Sequence, residues 1–125
     1  MKKDIKTTDN DIMLNTVEKK VHFCHFHIAG LTYYDACDVI DELKVGTMLS
    51  LVRDAGNKHD ANAIAIFFRD TKLGFVPADD AEQLAPFFDM GHGGIFEAKI
   101  QSVDTSAHPE RQIGVKISLL NAKYL

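Results

Sequence analysis

The stretch over residues 57–66 constrains the fold most, because a dense polar cluster runs there directly into an apolar segment. Asn57, Asp60 and Asn62 belong to the cluster, and Ala-Ile-Ala-Ile follows it at once. Asn and Asp side chains can bond back to nearby main chain and shape a turn. They can also present fixed donors and acceptors to a ligand held on a rigid sheet. The stretch therefore predicts a turn at the entrance of a buried strand, and leaves its role open between structure and binding.

The bulk properties of the chain predict one globular, cytoplasmic domain. A chain of 125 residues with 46% hydrophobic and 26% charged residues can bury its own core. Its longest apolar runs, such as 63–68, fall far short of the roughly 20 residues of a membrane span. No apolar stretch of a secretory signal follows Lys2 and Lys3. Cys24 and Cys37 form no C-x-x-C motif, which favours reduced, structural thiols.

The formal net charge of −4 limits the kinds of nucleic-acid contact that the chain can make. Non-specific binding to a duplex depends on many Lys and Arg contacts with phosphates. An acidic chain lacks the field for such binding. We therefore expect any contact with nucleic acid at a small, local pocket of defined shape, and not on a broad basic face.

Hydrophobic periodicity and turn signals predict a mainly β chain with minor α content. We expect a polar N-terminal extension over residues 1–20 and a folded domain over 21–125. The predicted strands span 21–29, 48–53, 63–69, 73–76, 95–103 and 111–119, with a hairpin turn at 70–72, a short helix over 35–43 and a longer helix over 77–90. Pro86 predicts a break or kink in the longer helix. About six strands with one or two flanking helices indicate a small barrel, similar in plan to oligonucleotide-binding (OB) barrels.

Four potential metal ligands, His22, Cys24, His25 and His27, lie within the first predicted strand. Successive side chains of a strand point to opposite faces, so no more than two of the four can converge. A structural zinc site needs four ligands. We therefore expect exposed or core-edge histidines, with no metal and no cofactor. The glycine-rich loop at 91–94 lacks the Lys-Ser/Thr and the helix that follow a phosphate-binding loop.

Two further motifs lie at the ends of predicted strands, and we expect both of them close to the polar stretch. Gly-Leu-Thr-Tyr-Tyr over residues 30–34 ends the first strand, and Leu-Gly-Phe-Val-Pro over 73–77 ends the hairpin. Tyr33 and Tyr34 fit two interpretations equally well. They can be core-edge residues with their hydroxyl groups in water, or they can form a platform on which a nucleobase stacks.

The three motifs, at 30–34, 57–64 and 73–77, together resemble the HIRAN domain in order and spacing. The resemblance covers residues 21–119, and Asn-x-x-Asp-x-Asn-Ala-Ile is its most specific part. HIRAN domains occur in helicase-like DNA translocases of fork remodelling and as small bacterial proteins. The resemblance implies a modified OB-type barrel that recognises the 3′ end of single-stranded DNA without catalysis. It further implies a role in DNA repair or replication-fork processing, beside a DNA-remodelling or repair protein.

The resemblance also implies roles for individual residues of the binding site. Tyr33 and Tyr34 occupy the positions of an aromatic pair that stacks on a terminal base. Asp60 occupies the position of the carboxylate that receives the terminal 3′-hydroxyl. His59 stands where the family usually has an aromatic residue, and it can stack or form a hydrogen bond.

Two positions depart from the pattern of the DNA-binding relatives. Thr32 stands in place of a basic residue, which removes a partner for phosphate. Phe75 stands in place of a histidine, which removes a polar contact but keeps a ring that can stack. We include both residues in the predicted nucleic-acid site. Asn57 and Asn62 are expected to brace the loop that carries Asp60.

A single carboxylate gives end recognition a physical basis that is independent of the family. It can accept a hydrogen bond from a free hydroxyl, but it repels the phosphate that takes the same place within a continuous strand. Stacking on aromatic rings adds affinity that tolerates any sequence.

The sequence alone leaves two other functions open. One is a barrel that binds a protein or another ligand and has lost its DNA contacts, which the two departures favour. The other is a metal-dependent hydrolase that uses His59, Asp60 and a distant histidine such as His92 or His108. No carboxylate pair or nucleophile–base motif supports that hydrolase.

Overall fold

The computed structural model of the protein describes residues 19–121 and residue 123. The predicted polar extension lies outside these residues except for its last two positions, and Lys20 already begins the first strand. The strands are β1 Lys20–His27, β2 Met48–Arg53, β3 Ile64–Phe68, β4 Thr71–Phe75, β5 Phe96–Val103 and β6 Ile113–Leu120, and the α-helix is α1 Ala78–Asp89. Short 3₁₀ helices span Leu31–Tyr33, Asp35–Asp38, Ile40–Glu42, Gly93–Ile95 and Pro109–Arg111.

The strands form one six-stranded antiparallel sheet in the order β1-β6-β5-β2-β3-β4. The two edges of this sheet meet at a single bridge just beyond β1. There Ala29 N–H donates to the Phe75 carbonyl, and Phe75 N–H donates to the Ala29 carbonyl, both at 2.9 Å. The sheet therefore curls into an OB-like barrel that no continuous ladder closes, and the predicted mainly β fold is confirmed.

The core lies between the curled sheet and α1. On β6 the alternating residues Ile113, Val115 and Ile117 are buried, and α1 adds Leu84 and Ala85. Burying one such aliphatic side chain contributes about 1.5–3 kcal/mol. Ile28 and Val76, just beyond the ends of β1 and β4, are buried in the same core, and the candidate site is built at those ends.

Two local predictions were wrong, and the break expected at Pro86 does not occur. Residues 35–43 form 3₁₀ helices and not an α-helix, since Val39 leaves helical geometry with φ −123° and ψ 9° and β-branched residues disfavour helix there. The helix α1 continues unbroken through Pro86. Pro86 and Glu82 both lie on its exposed face, so the carbonyl that loses its helical partner can bond to water. The hairpin turn occupies Arg69 and Asp70, whereas 70–72 was predicted, and Thr71 and Lys72 already belong to β4.

The histidines of β1 are exposed, as expected from the strand pattern. A β-bulge between His22 and Cys24 breaks the alternation, so His22 Nε2 and His25 Nδ1 lie 3.2 Å apart. Burial raises the pKa of the Cys24 thiol to about 11, so the thiol stays protonated at neutral pH. No helix of the described residues is long and apolar enough to cross a membrane.

Candidate nucleic-acid interface

The loop between β2 and β3 is held by side chains that bond to its own main chain. Asn57 Oδ1 accepts hydrogen bonds from the N–H groups of His59, at 2.8 Å, and Asp60, at 3.0 Å. Asn57 Nδ2 donates to Asp54 Oδ2 at 3.1 Å. Such bonds replace the regular ladder where the chain turns. They fix the direction in which Asp60 leaves the loop.

Only one of the two carboxylate oxygens of Asp60 forms a hydrogen bond within the loop. Its Oδ1 accepts the N–H of Asn62 at 2.8 Å, which closes a tight Asx-type turn. Its Oδ2 has no hydrogen-bond partner within residues 19–121 and 123. Asp60 is half-buried and lines the cavity, so this second oxygen can accept a bond from a ligand.

The ends of β1 and β4 meet at the Ala29–Phe75 bridge, which we call the seam. A cavity of about 290 Å³ lies where the loop meets this seam. It is lined by five of the predicted site residues: Tyr34, Asn57, His59, Asp60 and Phe75. The rings of Tyr34 and Phe75 meet edge to face, with centroids 5.7 Å apart and planes at 66°. The cavity therefore combines flat apolar rings with one uncommitted carboxylate oxygen.

Glycines at the two ends of the seam position these rings. Gly30 adopts φ 72° and ψ 22°, a left-handed conformation that starts the 3₁₀ turn Leu31–Tyr33, and Tyr34 follows this turn in extended conformation. Gly74 lies so close to β1 that an added Cβ would stand 2.3 Å from the Ala29 carbonyl oxygen. The close approach permits the Ala29–Phe75 bridge and so places the Phe75 ring beside Tyr34.

Three of the predicted residues lie outside this cavity. Tyr33 is 84% exposed, and its ring does not line the cavity. Thr32 lines a neighbouring cavity of about 540 Å³, which shares Tyr34 with the first. Asn62 contributes its main-chain N–H to the turn, and its side chain has no hydrogen bond in the described part of the chain.

Lys72 was not among the predicted site residues, yet its ammonium group lies 4.7 Å from the ring centroid of Tyr34 and 4.3 Å from that of Phe75. Residues 72 and 75 of a regular strand point to opposite faces. Ile66 of β3 pairs with Gly74 of β4, but the next residue, Phe67, pairs with Lys72 and not with Leu73. The register between the two strands therefore shifts at this point. This irregularity brings Lys72 and Phe75 to the same face. The glycine within the strand was the one signal that could have suggested it.

Arg53 was also missed, because its partners are distant in sequence. Its guanidinium forms a two-pronged ion pair with Asp89, at 2.9 and 3.2 Å, and donates to the Ala63 carbonyl at 3.1 Å. The same Ala63 carbonyl accepts the N–H of Asp54. Arg53 thus joins the end of the site loop to the end of α1.

The two asparagines provide a matched test of what holds the loop. We expect Asn57→Ala to lower the free energy of unfolding by about 1–3 kcal/mol, because it removes one acceptor for two main-chain donors and one donor for Asp54. Asn62→Ala should change it by less than about 0.5 kcal/mol, because the Asn62 side chain forms no hydrogen bond in the described part of the chain. Urea unfolding of both variants measures the difference. Equal losses would show that the Asn57 bonds do not hold the loop.

The residues named for a hydrolase do not converge. His59 lines the site, whereas His92 lines a separate hollow with Phe87 and Met90. His108 Nδ1 accepts the N–H of Glu110 in a 3₁₀ turn. Among the residues that the structure describes, no three His, Cys, Asp or Glu side chains are placed to hold a metal ion.

This OB-like barrel carries the rings of Tyr34 and Phe75 and the carboxylate of Asp60 at its seam. Such a combination is typical of small β-barrel binding modules. The chain matches the HIRAN domain over residues 21–119, and it belongs to that family. Membership of the family supports a role in binding nucleic acid.

Two solved structures are similar to this chain. A protein from Lactobacillus plantarum has a TM-score of 0.69 at 22% identity, covering 82% of this chain and 96% of its own. The HIRAN domain of human HLTF has a TM-score of 0.59 at 19% identity, covering 85% of this chain and 84% of its own. At these identities the likeness shows the fold alone. No curated protein matches the chain.

Proposed function

We propose that this domain is a non-catalytic module that binds single-stranded DNA and recognises its free 3′-hydroxyl end. The observation that carries the proposal is that Asp60 lines the cavity while the loop bonds only its Oδ1, which leaves Oδ2 for a ligand. This oxygen has no partner in the described residues, and its carboxylate lines the cavity that also contains the rings of Tyr34, His59 and Phe75.

The charge of Asp60 supplies the selectivity in this proposal. A terminal 3′-hydroxyl donates a hydrogen bond to Oδ2, and a hydrogen bond to a charged group contributes about 1.5–3 kcal/mol. A 3′-phosphate, or the next phosphodiester of a continuous strand, brings a negative charge to the same place. The carboxylate repels that charge. One side chain can therefore discriminate between the free 3′ end of a strand and a position within a continuous strand.

The aromatic rings supply affinity without a preference for sequence. Every base has a flat face, and stacking on an aromatic side chain is worth about 1–3 kcal/mol per base. Tyr34 and Phe75 are half-buried and fixed against each other, so little side-chain entropy is lost when a base stacks. His59 is more exposed and can stack or donate a hydrogen bond to the same nucleotide.

The biological setting in this proposal rests on the family. We place the domain in the cytoplasm, in DNA repair or replication-fork processing, beside a DNA-remodelling or repair protein. In this proposal, a strand end exposed during such processing is the ligand of the Asp60 cavity.

Fluorescence anisotropy with three labelled single strands tests the function directly. One strand carries a free 3′-hydroxyl, the second a 3′-phosphate, and the third is circular. We expect binding to the first and at least about tenfold weaker binding to the others, which corresponds to the loss of one charged hydrogen bond. No binding at low salt would overturn the proposal in favour of a barrel that binds a protein or another ligand. Metal-dependent cleavage that Asp60→Ala abolishes would overturn it in favour of a hydrolase.

The tyrosine pair provides a second prediction with its own control. Tyr34→Ala should weaken binding of the 3′-hydroxyl strand by about 5- to 150-fold, because it removes the stacking ring that lines the cavity. Tyr33→Ala should weaken it by less than about threefold, because its exposed ring lies outside the cavity. Anisotropy titrations of both variants measure the ratio. A larger loss for Tyr33→Ala would place the stacking surface elsewhere.

A further inference from the structure

The ammonium group of Lys72 has no anionic partner in the described part of the chain. Its contacts are the faces of Tyr34 and Phe75, the two rings of the proposed site. By contrast, Arg53 and Arg69 each form an ion pair with a carboxylate. Contact between an ammonium group and a ring face is weaker than the charge-assisted hydrogen bond that a well-placed phosphate offers.

Two cavities share Tyr34, and their charges differ. The larger one is lined by Thr32 and Asp41 and contains no basic residue. Asp35 and Asp38, both exposed, belong to the same acidic segment. The smaller cavity has the Asp60 carboxylate in its lining and the Lys72 ammonium over its rings.

Tyr34 borders two exits for a strand whose terminal hydroxyl reaches Asp60, because its ring lines the neighbouring cavity and also lies beside Lys72. One exit leads over the acidic segment, where each phosphate would meet carboxylates. The other leads over β4, where the first phosphate would meet a cation. Electrostatics favours the second exit, because the strand carries one negative charge per nucleotide.

We propose that Lys72 binds the last internucleotide phosphate of the strand and so sets the direction in which single-stranded DNA leaves the site. This inference rests on the proposed function and adds the phosphate contact that Thr32 cannot supply. When a base stacks on the rings, the flexible four-carbon stem lets the ammonium move from the ring faces to the phosphate. The cation stays near the rings because the register shift in β4 holds Lys72 on their side.

Lys72→Gln tests the contact in a salt series. We expect the Kd for a 3′-hydroxyl oligothymidylate to rise about tenfold at low salt, as for loss of one charge-assisted contact. The slope of log Kd against log salt should fall by about 0.7, the value for one phosphate of a single strand. Lys44→Gln is the matched control, since Lys44 is exposed and, unlike Lys72, does not lie over the ring of Tyr34 or Phe75. Equal effects of the two variants would overturn the inference and indicate a general charge effect.

A second measurement needs no variant and identifies the phosphate. An oligothymidylate whose last linkage is a neutral methylphosphonate should bind the natural protein about tenfold more weakly than the normal strand. Lys72→Gln should bind both strands equally. If the natural protein binds them equally while still rejecting a 3′-phosphate, the Lys72 contact is refuted and the proposed function stands. If the natural protein binds neither strand, the proposed function and this inference both fail.

Discussion

Gly74→Ala is expected to lower the free energy of unfolding by roughly 3 kcal/mol or more, through overpacking and backbone strain together. An added Cβ would stand 2.3 Å from the carbonyl oxygen of Ala29 and 2.7 Å from a methyl carbon of Ile28. The backbone of Gly74 also has φ 156°, in the region that side chains rarely adopt. The clash falls on the two hydrogen bonds that join Ala29 to Phe75.

Urea unfolding, with the m-value checked for two-state behaviour, measures this loss. Gly94→Ala is the control, because an added Cβ there meets no atom within 4 Å and the backbone does not have positive φ. That variant should change the free energy of unfolding by less than about 0.5 kcal/mol. If Gly74→Ala were as stable as Gly94→Ala, the seam would not depend on the close approach of β4 to β1.

The strands could be predicted because local sequence patterns mark them. Phe96–Val103 alternates apolar and polar residues, whereas Ile64–Phe68 is a continuous apolar run that is almost wholly buried. Met48–Arg53 was predicted with its observed bounds, and the other strands lie within a few residues of their predicted ends. The errors fall where a local rule competes with tertiary packing. Residues 35–43 have helical spacing, yet Val39 breaks the helix. Pro86 should interrupt α1, yet the buried Leu84 and Ala85 hold the helix together.

The site residues that were predicted are held by local contacts, and those that were missed depend on contacts that are distant in sequence. Asn57 and Asp60 bond to main chain within three residues, so their spacing in the sequence already carries the geometry. The contacts of Lys72 depend on a shifted strand register, which no periodicity reveals. Arg53 contacts Asp89 at the far end of α1, so its role depends on the assembled fold. Which tyrosine faces the cavity depends on how the 3₁₀ turn is oriented.

Asp60→Asn should remove the preference for a free 3′-hydroxyl while leaving the loop intact. The amide keeps an oxygen that can accept the Asn62 N–H, so the turn persists. The amide nitrogen then replaces the uncommitted oxygen, and the charged hydrogen bond to the 3′-hydroxyl is lost. We expect the Kd for the 3′-hydroxyl strand to rise about 10- to 100-fold. A 3′-phosphate is no longer repelled, so the two strands should bind within about threefold of each other.

Asp54→Asn is the control for Asp60→Asn, because it removes the same charge from the same loop. Asp54 does not line the cavity, and its amide replacement still offers Asn57 an acceptor. We expect Asp54→Asn to keep the preference for the 3′-hydroxyl strand in anisotropy titrations at matched salt. If both variants lost the preference equally, the net charge of the loop would explain the selectivity. If Asp60→Asn kept the full preference, the terminal hydroxyl would have to be recognised by another group in the cavity, and the role proposed for Asp60 would be wrong.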